Sequence, residues 1–302
     1  REVRRWLTDL RQQADNGVHP ERLTVADALN RYLEHLRMSG SATTVERAST
    51  VSRTYQAEIG TIPLHRLTSQ RLNKIFANRL ALGYAPGTIA CERRYLRAAI
   101  QRLVNDGTLA RNPVRGTTTP RVSQRDYSHV DEQAHAAVAA LRREPQWIAY
   151  ALLLATGMRL GELLGLQWGD IQDTPGGCAI HIERTDRLSL KTPNSRRTVT
   201  IGQPLAGILS ARRGYAEQRV IQYSRSRLGQ VWRKHAPRGL RLHDLRHAHA
   251  SELLAAGVPI TAVSRRLGHA STVITLGIYA HMVDTIDARV ADAVESICQR
   301  MA

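Results

Sequence analysis

Apolar residues recur every three or four positions along most of the chain, which is the spacing of an amphipathic helix. Four such segments lie between residues 22 and 112: TVADALNRYLEHLRM, TTVERASTVSRTYQAEIG, TSQRLNKIFANRLALG and APGTIACERRYLRAAIQRLVNDG. Thr24 and Asp27 are spaced as a capping pair at the start of the first segment, and a glycine follows each of the other three. The pattern predicts a compact all-α unit of four helices.

The second half of the chain is also mostly helical in pattern, but a short β region interrupts it. The helical segments before the interruption are DEQAHAAVAALRR and PQWIAYALLLATG. The β-branched runs CAIHIE and RTVTI predict two short strands, separated by RTDRLSLKTPNSR. Helical periodicity resumes in PLAGILSARRGYAEQRV, SRSRLGQVWRKHA, RLHDLRHAHASELLAAG, PITAVSRRLG and DTIDARVADAVESICQRM. The predicted fold class is therefore mainly α with a small β-sheet (α+β).

Turn residues divide the chain into segments that we predict to be separate domains. Residues 113–128 combine prolines, a threonine run and several arginines, which is typical of a linker, although a surface loop has the same composition. We predict a helical domain over residues 21–112 and a second domain over residues 129–302. Residues 1–20 have the pattern of a helix end and begin with Arg1, so we expect a further domain or linker upstream.

The chain is strongly basic, with 43 Lys and Arg residues against 26 Asp and Glu residues and a formal net charge of +17. Cations exceed carboxylates in both predicted domains, so we expect both to contact a polyanion, most often nucleic acid. A highly charged solubilising surface is the alternative. The candidates for DNA contact in the first domain are Arg47, Arg53, Arg93, Arg94 and Arg97, although solvated helix faces show the same pattern.

Cysteine usage and hydropathy bear on the cellular compartment. Cys91, Cys178 and Cys298 are far apart and match neither a disulfide framework nor a zinc-binding pattern, which favours a reducing cytoplasm. The sequence contains no run of 18 apolar residues and no signal peptide. We therefore expect a cytoplasmic protein without a membrane partner.

Lysine is rare in this chain, which otherwise uses arginine, so the position of each lysine is of interest. The three lysines are Lys74, Lys191 and Lys234. Lys191 falls between the two predicted strands. Arginine stays protonated at any accessible pH, whereas lysine can give up and regain a proton. Lys191 is therefore a candidate general acid, with chance placement as the alternative.

An arginine interrupts the apolar segment LLLATGMRLGELLGLQWGDI at the start of a predicted helix. Arg159 at this point could face an anion, because a helix N-terminus also favours negative charge. Glu162, three residues later, shares its face and could orient it. A surface ion pair is the alternative.

RLHDLRHAHAS concentrates basic side chains on one predicted helix. His243 and Arg246 are three residues apart and share a face, so they could form the wall of a phosphate-binding site. His243 and His247 are four residues apart, as in some zinc sites, but no third ligand stands at a familiar spacing and the carboxylate of a zinc-protease pattern is missing. We expect no metal ion, and we expect His247 and His249 to be packing or surface residues.

The segment RRLGHASTVITLGIYAHM predicts a helix, a Gly-His turn and a second helix. His269 lies in the turn and Tyr279 on the second helix. A lone tyrosine on a helix is usually a core or surface residue, but the neighbours of Tyr279 are small and no aromatic cluster surrounds it.

Taken together, TGMRLGELLGLQW, LKTPNSRRTVTI, LRLHDLRHAHAS and RRLGHASTVITLGIYAH resemble, in this order, the tyrosine recombinase or phage integrase family over residues 156–281. The resemblance implies a helical core-binding (SAM-like) domain followed by a catalytic domain, with residues 1–20 as the remnant of an arm-binding domain or linker. The implied site residues are Tyr279 as nucleophile, Arg159 and Arg246 as phosphate clamp, Lys191 as general acid, His243 as proton acceptor, His269 as a phosphate hydrogen-bond partner, and Glu162 in support. No metal, nucleotide or other cofactor is implied.

The implied function is site-specific DNA recombination, by the integrase of a phage or mobile element, through a 3′-phosphotyrosine intermediate. The implied partners are double-stranded DNA attachment or recombination sites, further copies in a homotetramer assembled on DNA from monomers, and accessory DNA-bending proteins. The implied location is the nucleoid or, for a phage protein, the host cytoplasm. Two alternatives are a type IB topoisomerase-like nicking and rejoining enzyme, which acts as a monomer on any duplex, and a non-catalytic DNA-binding regulator.

Overall fold

The structure is a computed structural model that describes residues 23–120, 127, 129–186, 196–269, 271–273 and 275–276. The chain divides into two units, residues 1–125 and 126–302. Over the described residues the first unit is helical, while the second combines helices with a three-stranded sheet. This arrangement confirms the predicted fold class, mainly α with a small β-sheet.

The first unit contains the four predicted helices: α1 (Val25–Ser39), α2 (Ala42–Ile59), α3 (Ser69–Ala81) and α4 (Pro86–Asn105). Thr24 and Asp27 form the predicted capping box at the start of α1, and Thr68 caps α3. Pro86 is the first residue of α4, where its missing N–H is not needed. Each helix buries one apolar stripe, so the core lies between the four helices.

A buried ion pair lies inside this first unit. Arg79 on α3 donates to both carboxylate oxygens of Glu92 on α4, with Nε–Oε2 at 2.8 Å and Nη2–Oε1 at 2.7 Å. The hydroxyl of the fully buried Tyr55 donates to Oε2 of Glu92 at 3.0 Å. Burial, and then the charge of Glu92, raise the pKa of Tyr55. Arg79 is therefore held within the unit, in an arrangement that would be destabilised by removing either charge alone.

The second unit contains, in chain order, α5 (Val130–Ala140), α6 (Trp147–Thr156), α7 (Leu160–Gly165), β1 (Ile171–Thr174), β2 (Gly177–Ile182), β3 (Arg197–Gly202), α8 (Leu205–Ser210), α9 (Arg225–His235), α10 (Asp244–Ala255) and α11 (Ile260–Leu267). The strands pair antiparallel in the order β1-β2-β3. Helix α6 is apolar on nearly all sides and is buried at the centre of the unit. Helix α10 packs beside α5 and α6 and is buried from Asp244 to Ser251.

The secondary-structure prediction for this unit missed one strand and extended one helix too far. Strand β1 was not predicted, because only Ile171 of its four residues is buried and no apolar alternation marks it. The helix predicted over residues 204–220 ends at Ser210. The remainder pairs by backbone hydrogen bonds with residues 166–169, including Trp168 N–H to the Gln218 carbonyl at 3.0 Å. Tertiary pairing therefore overrides helical propensity there.

Several predicted segments lie wholly or partly outside the described residues. Residues 1–20 and the last predicted helix, DTIDARVADAVESICQRM, are among them. Of the predicted linker, Pro113–Gly116 forms a short 3-10 turn. Arg93 on α4 binds this turn region by donating to Thr117 Oγ1 at 2.6 Å and to the Val114 carbonyl at 3.2 Å. None of the helices that the structure describes combines the length and the hydropathy that a membrane span requires.

Candidate active site

Arg159 is oriented at the start of α7 by a buried carboxylate. Gly157 ends α6 in the left-handed region, with φ +64°, and a Cβ there would lie 2.6 Å from Cδ2 of His249, so glycine is required. Glu162 then accepts the Arg159 backbone N–H at 2.8 Å and its Nη1 at 2.9 Å. The Arg159 side chain is 41% exposed and that of Glu162 is 1% exposed. The pair is therefore not an exposed surface ion pair, and the guanidinium remains accessible to a ligand.

A second arginine binds the same carboxylate. Arg197, the first residue of β3, donates from Nη2 to Oε2 of Glu162 at 2.8 Å and from Nη1 to Oε1 at 3.3 Å. Burial raises the pKa of Glu162, but the hydrogen bonds and charges of Arg197 and Arg159 outweigh burial and hold that pKa below its ordinary value. Glu162 is therefore an anion at neutral pH, shared by two guanidinium groups.

Arg246 on α10 links the ends of two other helices. Its Nη1 donates to the carbonyl of Gly157 at 2.7 Å, and its Nη2 donates to the carbonyl of Leu267 at 2.7 Å. The first of these carbonyls lies at the end of α6, and the second lies at the end of α11. Arg246 is 4% exposed. The contacts place its cationic group beside the turn from which Arg159 emerges.

His243 is the residue that precedes α10, and its ring lies beside that of His247, which in turn contacts Tyr127. Its ring meets that of His247 edge-on at 5.2 Å, and the His247 ring lies 4.2 Å from that of Tyr127. His247 and His249 are both buried, so they are packing residues rather than surface ones. Burial, and then the charge of Arg246, lower the pKa of His243. The residue reaches the surface of the unit while its ring is partly enclosed, and the lowered pKa favours the neutral ring at neutral pH, which suits a proton acceptor.

His269 is presented by the turn that ends α11. Gly268 adopts the left-handed region, with φ +69°, and a Cβ there would lie 3.0 Å from Nη1 of Arg197. The next residue, His269, pairs through Nδ1 with Thr275 Oγ1 at 2.8 Å. Burial, and then the charges of Arg246 and Arg159, lower the pKa of His269 to about 4. A neutral imidazole can donate one hydrogen bond to a phosphate oxygen.

The low pKa of His269 gives a measurable expectation. In an NMR titration of the free protein, the His269 ring resonance, assigned by its loss in His269→Gln, should have its midpoint near pH 4. Because the unfolded chain takes up this proton at its ordinary pKa of 6.5, the stability contributed by the neutral ring is present above pH 6.5 and is lost as the pH falls towards 4. A midpoint between pH 6 and 7 in the folded protein would show that neither burial nor the neighbouring arginines lower the pKa of this ring.

Comparison with known proteins decides the family. The model of the phage integrase family matches residues 130–285, which is more than half of the chain. This chain belongs to the phage integrase family. It is a tyrosine recombinase, as the motifs predicted.

Relatives of this integrase include proteins named as a tyrosine recombinase and as an integrase. The tyrosine recombinase XerC-like protein of Caldanaerobacter subterraneus subsp. tengcongensis is 25% identical, over 86% of this chain and 80% of that protein. The ICEBs1 integrase of Bacillus subtilis is 27% identical, over 49% of this chain and 48% of that protein.

Solved structures share the fold of this integrase. The Tn1549 transposon integrase in complex with a circular intermediate DNA superposes with a TM-score of 0.69 at 18% identity, over 89% of this chain and 99% of that chain. A lambda integrase dimer bound to a COC′ core site gives a TM-score of 0.68 at 18% identity, over 85% of this chain and 95% of that chain. These likenesses support the two-part helical and α+β fold.

The structure brings together four of the six predicted catalytic positions of this integrase, namely Arg159, His243, Arg246 and His269, with Glu162 behind them. Lys191 and Tyr279 lie outside the described residues. Lys191 belongs to the connection between β2 and β3, and Tyr279 follows α11 along the chain. Within the described ranges, no group of three or more His, Cys, Asp or Glu residues is arranged to hold a metal ion.

The candidate DNA contacts of this integrase differ in their surroundings. Arg47 and Arg53 on α2 and Arg94 and Arg97 on α4 are exposed. The guanidinium of Arg93 instead makes three hydrogen bonds inside the first unit, to Val114 and Thr117. Arg93 therefore already has a structural role within the first unit.

Arg197 was not among the predicted site residues. Strand β3 alternates, with Val199 and Ile201 buried and Thr198 and Thr200 exposed, so the alternation places Arg197 on the buried face. A buried arginine requires a buried partner. That alternation in RTVTI is the sequence feature that could have identified it.

Proposed function

We propose that this integrase recombines DNA at specific sites through a covalent bond between Tyr279 and a 3′-phosphate. The observation that carries the proposal is the convergence of Arg159, Arg246 and His269 around the end of α11. Transesterification at a phosphate accumulates negative charge on the non-bridging oxygens, and two guanidinium groups are suited to bind them. The accessible Arg159 guanidinium supports this role, because it is already oriented by Glu162.

The proposed reaction exchanges one phosphodiester bond for another. The Tyr279 hydroxyl loses its proton to His243, and its oxygen attacks the scissile phosphorus. The bond between phosphorus and the 5′ oxygen breaks, and Lys191 protonates that oxygen, leaving a free 5′-hydroxyl. In the reverse step a 5′-hydroxyl attacks the phosphotyrosine and releases Tyr279. Because the ester is retained throughout, rejoining needs no external energy source.

We extend the proposal to the partners of the protein. The substrates are double-stranded attachment or recombination sites of a phage or another mobile element, in keeping with the ICEBs1 and Tn1549 integrases among its relatives and structural neighbours. A lambda integrase tetramer is known on a Holliday junction, and we propose a homotetramer of this chain on DNA. The segment over residues 284–301, which the sequence predicts to be a helix, would pack on a neighbouring copy, and accessory DNA-bending proteins would assist assembly in the nucleoid or host cytoplasm.

The exposed arginines of the first unit, Arg47, Arg53, Arg94 and Arg97, are proposed to contact phosphates of the duplex, together with Arg93 if its turn rearranges on DNA. Phosphate contacts of this kind set register without reading sequence.

The proposal is tested by trapping the covalent intermediate. The full chain is incubated with a duplex that spans the element–chromosome junction and carries a nick beside the cleavage position, in the presence of EDTA and without ATP. We expect a protein–DNA adduct that retains the 5′-labelled strand, releases a fragment with a 5′-hydroxyl, and maps to Tyr279 by peptide mass spectrometry. Absence of an adduct on the authentic junction, with duplex binding intact, would leave only the DNA-binding regulator.

A further inference from the structure

Three arginines converge on the end of α11, where an α-helix leaves its last carbonyls without partners inside the helix. The carbonyls of three consecutive residues each accept a hydrogen bond from a different one of these arginines. The pairs are Arg197 Nε with the Arg266 oxygen at 2.6 Å, Arg246 Nη2 with the Leu267 oxygen at 2.7 Å, and Arg159 Nη2 with the Gly268 oxygen at 3.5 Å. The negative end of the helix dipole adds to the attraction. These contacts fix the turn from which His269 emerges.

Arg197 differs from the other two in its surroundings. Its side chain is 5% exposed, whereas that of Arg159 is 41% exposed, so Arg197 is not placed to bind a phosphate from solution. Its guanidinium instead joins two parts of the site that are far apart in sequence. Nη1 and Nη2 hold the Glu162 carboxylate, and Nε holds the Arg266 carbonyl.

We propose that Arg197 is a positioning residue for DNA cleavage, which sets Arg159 and His269 at a fixed separation. This inference rests on the proposed roles of Arg159 and His269. Glu162 links Arg197 to Arg159, because the carboxylate that Arg197 binds is the one that orients Arg159. The carbonyls at the end of α11 link Arg197 to His269, because Gly268 and His269 directly follow the last residue of that helix.

The geometry explains why arginine stands at this position. A guanidinium is planar and presents N–H groups along separate edges, so one side chain can bind a carboxylate and a carbonyl at the same time. Lysine carries one charged nitrogen and cannot reproduce the fork. Methionine has a similar length and no donor. Lysine therefore removes part of the hydrogen bonding that Arg197 provides, and methionine removes all of it.

The test compares Arg197→Met and Arg197→Lys with the wild-type full chain on the nicked junction duplex. Binding is measured as a Kd, and cleavage as a single-turnover rate at saturating protein. We expect Arg197→Met to lower the rate about 10- to 100-fold without a measurable change in Kd, because small displacements of a reacting group cost this much. Arg197→Lys should fall between Arg197→Met and wild type. The matched control is Arg213→Met, which removes an exposed arginine–carboxylate pair with Asp173 from the same unit and should cleave normally.

A double-mutant cycle separates positioning from a general effect on folding. If Arg197 acts through Arg159, the loss caused by Arg197→Met should shrink in an Arg159→Ala background, since neighbours that act together are not additive. Full additivity, or a parallel fall in binding and cleavage that matches the unfolded fraction, would overturn the inference. So would normal cleavage by Arg197→Met. Failure of the wild-type protein to form an adduct would overturn the proposed function as well.

Discussion

Replacing Tyr279 by phenylalanine is expected to abolish covalent attachment to DNA and to leave duplex binding unchanged. The substitution removes only the attacking oxygen. Loss of the nucleophile lowers rates by up to about 10⁶-fold in an enzyme with a covalent intermediate, so no adduct should be detected. The basic first unit and the arginines around α11 are unaltered, so the affinity for the junction duplex should be retained. The measurement is the covalent adduct on the nicked duplex, beside a Kd for the same duplex.

Tyr215→Phe is the matched control for this prediction, because Tyr215 lies in the same unit and is 78% exposed. It should form the adduct at the wild-type rate. An adduct in Tyr279→Phe would show that a different residue is the nucleophile and that the motif-based assignment is wrong. Relaxation of any supercoiled plasmid by monomeric wild-type protein would instead favour the topoisomerase-like alternative.

The helices were predictable where their buried residues recur at helical spacing in the sequence or where a capping residue marks their ends. The capping box of α1, the proline that begins α4 and the largely apolar α6 are local features, and local features fix local structure. Strand β1 and the stretch after Ser210 were not predictable in this way. Their conformations depend on backbone pairing with segments that are distant in sequence.

The same distinction between local features and contacts that are distant in sequence applies to the candidate site. Motif spacing pointed to Arg159, Glu162, Arg246 and His269 as candidates, because each lies in or next to a turn or helix start that the sequence marks. It did not reveal that the partners of Arg197 lie 35 and 69 residues away, at Glu162 and at the Arg266 carbonyl. Nor did it reveal that the candidate phosphate-binding arginines also hold helix ends. The residues proposed to do the chemistry were visible in the sequence, whereas the residue proposed to position them, Arg197, required the fold.

Arg246→Ala is expected to impair both cleavage and stability, because Arg246 combines a proposed catalytic role with a structural one. Removing one preorganised donor to a developing oxyanion typically lowers kcat by about 10²- to 10³-fold. The substitution also takes the donors from the Gly157 and Leu267 carbonyls. Leaving one buried carbonyl without its partner costs about 1–3 kcal/mol, and two carbonyls are affected, so the free energy of unfolding should fall by at least that amount. Single-turnover cleavage at saturating protein and urea unfolding measure the two effects separately.

Arg246→Lys tests whether a positive charge alone can replace the guanidinium group. Lysine keeps the positive charge but cannot span both carbonyls, so a large part of the loss in stability and in cleavage should remain. Arg265→Ala, which removes an exposed arginine from α11, is the matched control and should be close to wild type in both measurements. If Arg246→Ala cleaved at the wild-type rate while unfolding more easily, Arg246 would be a structural link between α6 and α11. The phosphate clamp would then rest on Arg159 and on residues not yet assigned to it.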